Sequence, residues 1–253
     1  MTYLETARRF VAQYPPPGKP LMVGITGSHY YGFPSPDSDI DLKGIHVAPV
    51  DQVLGLDSPR DTHDIIQRFD RIECDLTTHE VSKALALLIK GNGNMLERLL
   101  TPYQAFESDA QAELRVLAAE SISKRSWGHY RGFTNGMRRE YTKGGRRVKA
   151  ALYIYRSALT GIHLMNTGRL VCDLGVLSEE YGYADVVLPL IQQKRESNEK
   201  VWMNEDADKV HMANWDKLDE ALDKTRETST LPDRCPNKGA LNDWLVRLRK
   251  EGF

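Results

Sequence analysis

The chain has 253 residues, of which 41% are hydrophobic and 27% are charged, and its formal net charge is −1. This size allows one large domain or two small ones with a core, and this composition excludes wholesale disorder. Any contact with nucleic acid must come from a local basic patch, because the overall charge supplies none.

The cysteines and the apolar runs indicate the cellular compartment of the protein. Cys74, Cys172 and Cys235 are odd in number and scattered, which argues against a disulfide framework and against a zinc site. Residues 1–18 lack the apolar core of a signal peptide, and no apolar run approaches the roughly 20 residues that span a bilayer. We therefore expect a soluble cytoplasmic protein without a membrane partner.

Strand and helix patterns alternate in the first part of the chain. Leu4–Tyr14 predicts a helix, because its apolar residues recur every three or four positions. A capping box at Thr77 and Glu80 predicts that another helix begins there. Short apolar runs predict strands. These strands are Leu21–Thr26, Ile40–Val47, Thr62–Phe69 and Arg71–Thr78.

Beyond Pro102 only helical patterns remain, and we predict no further strand. The sequence therefore predicts an α/β (α+β) domain with a short mixed sheet, residues 1–105, followed by an all-α helical domain, residues 106–253. The four tryptophans are assigned to the core. They are Trp127, Trp202, Trp215 and Trp244. The predicted helices are Ala110–Ser121, Ile122–Tyr141, Arg146–Asn166, Val186–Arg195, Asp206–Arg226 and Leu241–Lys250.

Two carboxylates share one face of the second predicted strand. Asp39 and Asp41 are two positions apart, and such side chains point to the same side of a strand. Ile40 points to the opposite side, into a core. Adjacent like charges cost stability unless a cation compensates them. The pattern favours a divalent metal site over a solvated strand, whereas Asp37 and Ser38 are read as turn residues.

Gly27 and Ser28 follow the first predicted strand and precede a helical turn. Glycine permits close approach of the backbone, and a helix start offers unpaired N–H groups, so the pair fits a phosphate-binding turn. A plain turn is the alternative reading of so short a motif. His29 comes next and either contacts phosphate or lies on the surface.

These motifs resemble the DNA polymerase β-like nucleotidyltransferase superfamily. Its signature is Gly-Ser followed about ten residues later by Asp-x-Asp on a strand, here Gly27-Ser28 and Asp39-Ile40-Asp41. The flanking sequences GSHYYGF, SPDSD and DLKGI look like a branch of predicted bacterial and phage nucleotidyltransferases linked to RNA repair. The resemblance covers residues 21–160 and implies a nucleotidyltransferase domain before the helical domain. It departs at His29, where we would have expected arginine.

The resemblance also implies a third carboxylate on a later, adjacent strand. Asp75 is the best match, Glu73 on the same predicted face is the fallback, and Asp70 is more distant. The alternative reading of Asp75 is an acid near a helix start. With Asp39 and Asp41 it would hold two Mg²⁺ or Mn²⁺ ions, which bind an NTP, activate an acceptor hydroxyl and stabilise the leaving pyrophosphate.

A basic stretch lies in the predicted helical domain, in and before the helix that begins at Arg146. Its cationic side chains recur at three- and four-residue steps and share one face. The resemblance implies that this half contacts the triphosphate, and a solvated face is the alternative. The predicted nucleotide-binding residues are Gly27, Ser28, His29, Arg146, Lys149, Tyr153 and Arg156. The predicted nucleic-acid-binding residues are Arg138, Arg139, Lys143 and Arg147.

The function predicted from this resemblance is metal-dependent transfer of a nucleoside monophosphate from an NTP to an acceptor hydroxyl. The acceptor that the resemblance implies is an RNA 3′ end. One alternative is a nucleotidyltransferase that modifies a small molecule or a protein, and the core motif does not separate these acceptors. The other is a non-catalytic nucleotide or RNA sensor, against which the presence of all three carboxylates argues.

Overall fold

The computed structural model describes residues 2–197 and 201–252, except for the side chains of residues 205 and 206. The chain divides into two compact units, each assembled from separate stretches. The sheet unit comprises Met1–Gly27, Asp39–Ile122 and Cys235–Phe253, and the helical unit comprises Ser28–Ser38 and Ser123–Arg234. The boundary predicted after residue 105 differs from this division, because residues 106–122 and 235–253 belong to the sheet unit and residues 28–38 to the helical unit.

A five-stranded mixed sheet forms the centre of the sheet unit. Its strands in chain order are β1 (Lys19–Ile25), β2 (Ile40–Val47), β3 (Thr62–Phe69), β4 (Ile72–Glu80) and β5 (Gln104–Glu107). Across the sheet their order is β3-β4-β2-β1-β5. β2 and β4 pair in parallel, and the other neighbours pair antiparallel. The mixed sheet predicted from the sequence is confirmed.

The strand β5 was missed. It has four residues, too few for an alternating pattern to stand out, and it pairs with β1 at the edge of the sheet. The capping box at Thr77 was also wrong. β4 continues to Glu80, whose own side chain caps the next helix by accepting a hydrogen bond from the Ser82 amide at 2.7 Å.

Within the part of the chain that the structure describes, six helices belong to the sheet unit. They are α1 (Tyr3–Gln13), α3 (Val50–Leu54), α4 (Val81–Ile89), α5 (Gly93–Leu100), α6 (Asp109–Glu120) and α12 (Lys238–Lys250). Of these, α1, α4, α5 and α6 pack against its strands. One face of β2 and β4 joins a core with Phe10 of α1, to which it contributes Ile40 and Leu42 from β2 and Cys74 and Leu76 from β4. All five side chains have no exposed surface.

The helical unit is built around one buried helix. Its helices are α7 (Arg125–Lys143), α8 (Val148–Thr167), α9 (Leu174–Glu180), α10 (Ala184–Glu196) and α11 (Glu205–Thr228). A single helical turn, α2 (Gly27–Tyr30), lies at the start of its first segment. Most residues of α8 are buried on all sides, which is the pattern of a core helix. In the described part of the chain, no helix has the length and apolar character needed to cross a membrane.

Candidate active site

The predicted carboxylates lie on one face of the sheet. β2 and β4 pair in parallel with Asp41 opposite Asp75, as Ile40 is opposite Cys74. Paired residues on neighbouring strands project from the same face, with backbones about 4.8 Å apart. Ile40 and Cys74 turn into the core, so Asp41 and Asp75 must project from the opposite face. Asp39 lies one residue before β2 and is exposed.

The Gly27 backbone lies directly against the Asp41 side chain. A Cβ at Gly27 would stand 1.9 Å from Oδ2 of Asp41, and the backbone φ of +65° is in the region that favours glycine. The amide of Thr26 donates to the carbonyl of Asp41 at 2.8 Å. The Gly-Ser turn and the Asp-x-Asp strand, which are separated in sequence, therefore meet in the fold.

Lys43 extends the same face by two further positions and contacts Asp75. Its Nζ donates to Oδ2 of Asp75 at 3.0 Å and to Oγ1 of Thr77 at 3.2 Å. Both partners of the ion pair are mostly buried. The sequence analysis missed Lys43, although the spacing Asp39, Asp41, Lys43 is the period-two signal that places it on this face.

The donor set agrees in chemistry with the predicted Mg²⁺. Asp39, Asp41 and Asp75 offer carboxylate oxygens, which Mg²⁺ prefers. Cys74 does not belong to the set, because it faces the core and burial raises the pKa of its thiol to about 11. Within residues 2–197 and 201–252, no three His, Cys, Asp or Glu side chains stand close enough to hold a metal ion together. For Asp75, the carboxylate is engaged by Lys43.

The segment after Gly27 belongs to the core of the helical unit. Ser28 is buried and His29 half-buried. Cations of α10 hold the backbone that follows, since Lys194 Nζ donates to the Phe33 carbonyl at 3.2 Å and Arg195 donates to the Gly32 carbonyl at 2.7 Å. Lys194 is itself 2% exposed. The helical unit therefore fixes the chain just downstream of the Gly-Ser turn.

Arg156, predicted to bind nucleotide, is buried among aromatic rings. It exposes only 1% of its surface. Its guanidinium carbon lies 4.0 Å from the centre of the Tyr31 ring, 5.2 Å from that of Phe133 and 5.8 Å from that of Tyr153. A cation over aromatic faces is an attractive arrangement that strengthens on burial. Within the helical unit, Arg156 therefore joins α8 to Tyr31.

The helix predicted from Arg146 begins two residues later, so Arg146 is not part of the stripe. α8 starts at Val148, and Arg146 adopts a backbone φ of +61° before it. Its guanidinium pairs with the buried Asp208 at 2.7 Å. Lys149 and Tyr153 do lie on α8. Both are half-buried, whereas the other α8 residues from Val148 to Met165 are buried.

The predicted nucleic-acid-binding residues differ in their surroundings. Arg138 forms ion pairs with Asp216 and Asp219 of α11. Arg139, Lys143 and Arg147 are exposed.

The assignment of Trp202 to the core was wrong, because 55% of its surface is exposed, whereas Trp215 and Trp244 are each 2% exposed.

A Gly-Ser turn against an Asp-x-Asp strand, with a further aspartate on the neighbouring strand, defines the class of DNA polymerase β-type nucleotidyltransferases. The model of the RNA repair pathway DNA polymerase beta family (RlaP) matches residues 9–247. The chain belongs to this family. The description of this family places it with the DNA polymerase β type of proteins and in an RNA repair pathway.

Two curated relatives match part of the chain. It is 29% identical over 157 residues to uncharacterised protein MJ0002 of Methanocaldococcus jannaschii, which is 61% of this chain and 63% of that protein. It is 30% identical over 142 residues to uncharacterised protein YcgL of Bacillus subtilis, which is 53% of this chain and 52% of that protein. The match therefore spans between half and two thirds of these relatives.

A solved structure is also similar. It is a nucleotidyltransferase-like protein from Exiguobacterium sibiricum, with a TM-score of 0.35 and 11% identity over 99% of this chain and 80% of its own. A likeness of this degree carries no argument about function.

Proposed function

We propose that the chain transfers a nucleoside monophosphate from an NTP to the 3′ hydroxyl of an RNA and releases pyrophosphate. The observation that carries the proposal is the pairing of Asp41 with Asp75 on one face, with the Gly27 backbone against Asp41. Like charges on one face repel one another, and bound cations offset this repulsion. Divalent cations bound at this face would neutralise the neighbouring carboxylates.

In this proposal Asp39, Asp41 and Asp75 hold two Mg²⁺ or Mn²⁺ ions. Bound ions of this kind lower the pKa of an acceptor hydroxyl and neutralise charge on the phosphates. Asp75 accepts the proton of the hydroxyl. A bond forms between the acceptor oxygen and the α-phosphorus, and the bond from that phosphorus to the bridging oxygen breaks, so that pyrophosphate leaves.

The contacts to the NTP are part of the same proposal. Gly27, at +65° in φ, has no Cβ, and this lets the Asp41 carboxylate lie against its backbone. Ser28, His29 and Lys149 are further contacts that the sequence analysis predicted, although His29 stands where the family resemblance implies arginine. Arg146 and Arg156 contribute less to this role than the sequence suggested, because one pairs with Asp208 and the other lies in an aromatic cage.

The test is incorporation of each α-labelled NTP into RNA, tRNA, DNA and total protein in the presence of Mg²⁺. We expect label on RNA with a free 3′ hydroxyl and none on RNA with a blocked 3′ end. Asp41→Asn should lower incorporation by at least about 100-fold, since even partners of metal ligands contribute 10- to 100-fold.

Asp57→Asn is the matched control, because Asp57 is exposed in the loop after α3 and outside the sheet. It should incorporate label like the unmodified chain. Unchanged incorporation by Asp39→Asn and Asp41→Asn would refute the role of these carboxylates. Label on protein but not on RNA would instead overturn the acceptor while leaving the chemistry in place.

A further inference from the structure

Trp202 exposes more of its surface than any other aromatic side chain in the described part of the chain. It belongs to a short segment that pairs antiparallel with the residues leading into α8. Trp202 lies opposite Arg147 in this pairing. The Val148 amide donates to the Val201 carbonyl at 2.9 Å, and the Met203 amide donates to the Arg146 carbonyl at 2.8 Å.

These two hydrogen bonds flank Trp202 and Arg147, which makes them a non-hydrogen-bonded pair. In such pairs the backbones approach most closely and the side chains project from the same face. The exposed Trp202 and Arg147 side chains therefore project side by side from this antiparallel pair. The indole also lies close to Gly145 in the turn between α7 and α8, since a Cβ at Gly145 would lie 3.3 Å from its Nε1.

An open cavity of about 860 Å³ adjoins Trp202. Val186 and Pro189 of α10 and Val210 of α11 supply apolar walls, and Asp185 and Gln193 bring polar groups to the same cavity. Ligand cavities commonly have this size and this mixture of apolar walls with a few polar groups. A carboxylate and an amide can accept and donate hydrogen bonds at the edge of a nucleobase.

Positively charged side chains surround the turn between α7 and α8, next to the indole. Lys143, Arg146 and Arg147 are all exposed. Arg146 is partly neutralised by its pair with Asp208, and Asp185 at the cavity is acidic, so phosphates would be attracted to the turn and not to the cavity. An aromatic platform next to cations is the arrangement that single-stranded nucleic acid recognises, with bases on the ring and phosphates on the cations.

We propose that Trp202 stacks an unpaired base of single-stranded RNA, with the base in the cavity between α10 and α11 and the adjoining phosphates on Lys143 and Arg147. The choice of RNA as the strand rests on the proposed function. The stacking itself rests on the exposure of Trp202, the paired Arg147 and the cavity.

The experiment measures binding of a fluorescein-labelled, unstructured 12-nucleotide RNA by anisotropy, without NTP and with EDTA. Trp202→Ala should weaken binding roughly 5- to 150-fold, the range for loss of base–aromatic stacking. Trp202→Phe should keep most of the affinity. Leu188→Ala, which removes an exposed apolar side chain of α10 that does not line the cavity, is the matched control and should bind normally.

The phosphate contacts have their own signature. Arg147→Gln should weaken binding and make the slope of log affinity against log salt shallower by about 0.7, the value for one contact to a single strand. Lys217→Gln removes an exposed cation of α11 and should leave the slope unchanged. Unlabelled RNA should quench the tryptophan fluorescence of the unmodified chain, and Trp202→Phe should lose that quench.

Affinity of Trp202→Ala equal to that of the unmodified chain would overturn the proposal, as would a quench that persists in Trp202→Phe or equally tight binding of duplex RNA. If Trp202→Ala does not fold, the fluorescence of Trp202→Phe still decides. Incorporation of NTP is measured in parallel. Incorporation without Trp202-dependent binding refutes the inference alone, and Trp202-dependent binding without incorporation refutes the proposed function alone.

Discussion

The Asp41 carboxylate occupies the space where a side chain at position 27 would lie. Any side chain there would meet Oδ2 at 1.9 Å and would also have to adopt a φ of +65°. The left-handed conformation alone costs a non-glycine residue about 1–2 kcal/mol. The position therefore requires glycine for two independent reasons, one local and one due to its contact with Asp41.

We predict that Gly27→Ala lowers the free energy of unfolding by at least about 2 kcal/mol, the cost of the conformation with the displacement of Asp41 added. Incorporation of NTP should fall with it, because Asp41 must move. Chemical denaturation and the incorporation assay measure the two effects. The control is Gly132→Ala in α7, where a Cβ meets nothing within 4 Å and helix propensity should add about 0.5–1 kcal/mol. Equal stability of Gly27→Ala and the unmodified chain would contradict this account.

Lys43 places a fixed positive charge among the carboxylates of the candidate site. Its Nζ contacts Oδ2 of Asp75, a carboxylate that the proposed metal site would use. A metal that binds Asp75 must therefore displace the ammonium group or share the carboxylate with it. If the proposed ion binds Asp75, we expect the lysine to compete with it for the carboxylate and so to weaken metal binding there.

We predict that Lys43→Met binds Mn²⁺ up to about fivefold more tightly, since a pair of this exposure is worth at most about 1 kcal/mol. Electron paramagnetic resonance of free Mn²⁺ measures the affinity without any need for turnover. The control is Lys83→Met, which removes a comparable ion pair with Asp61 elsewhere in the sheet unit and should not change the affinity. Weaker Mn²⁺ binding by Lys43→Met would show that the lysine assists the site.

At the scale of elements, α12 comes from the far end of the sequence and packs against α4 and α6. Arg249 of α12 donates to Oε1 of Glu80 at 2.9 Å and to Oγ of Ser82 at 2.7 Å. The arginine and glutamate side chains are 14% and 5% exposed. Glu80 also caps α4, so the end of β4, the start of α4 and α12 meet in one buried ionic contact.

We predict that Arg249→Ala destabilises the chain by about 3 kcal/mol, because it leaves Glu80 buried and unpaired. Arg247→Ala on the same helix breaks a pair with Glu113 whose side chains are 49% and 56% exposed, and it should cost less than about 1 kcal/mol. Urea denaturation of both variants measures the difference. Similar losses for the two arginines would contradict the importance of burial.

The sequence predicted those elements in which a local pattern coincides with the packing. The alternation in β2 and β4 predicted that Asp41 and Asp75 lie on the side opposite Ile40 and Cys74, and the register pairs Asp41 with Asp75 as that prediction requires. Features set by distant contacts were not predictable. α8 begins at Val148 and not at Arg146 because the residues before it pair with Val201 and Met203, and nothing in the sequence of either stretch indicates the pairing.

On the scale of the whole molecule, each unit is completed by a segment that is distant in sequence. Residues 28–38 pack their aromatic side chains Tyr31 and Phe33 in the core of the helical unit, and Cys235–Phe253 returns to the sheet unit. The family match over residues 9–247 spans both units. A domain boundary drawn at one point of the sequence cannot describe such a chain, which is why composition and periodicity placed it after residue 105.

Buried and half-buried histidines make the stability of both units depend on pH. Burial lowers the pKa of His79 to about 4, with the charges of Arg98 and Lys83 acting in the same direction. Burial also lowers the pKa of His46 in the sheet unit and of His211 in the helical unit. At His79 the unfolded chain therefore binds more protons than the folded chain between about pH 4 and 6.5, the ordinary pKa of histidine, and His46 and His211 act in the same direction below 6.5.

The sign of the effect follows from linkage. A group whose pKa is lowered by folding contributes its full stability above its unfolded pKa and loses it as pH falls through the folded value. We predict that the free energy of unfolding decreases as pH falls from 6.5 to 4, with a slope that contains up to about 1.4 kcal/mol per pH unit for each such histidine. In His79→Gln this slope should be shallower, because glutamine takes up no proton. Denaturation curves across this pH range measure the slope, and an identical slope in His79→Gln would mean that His79 is protonated equally in the folded and unfolded chains.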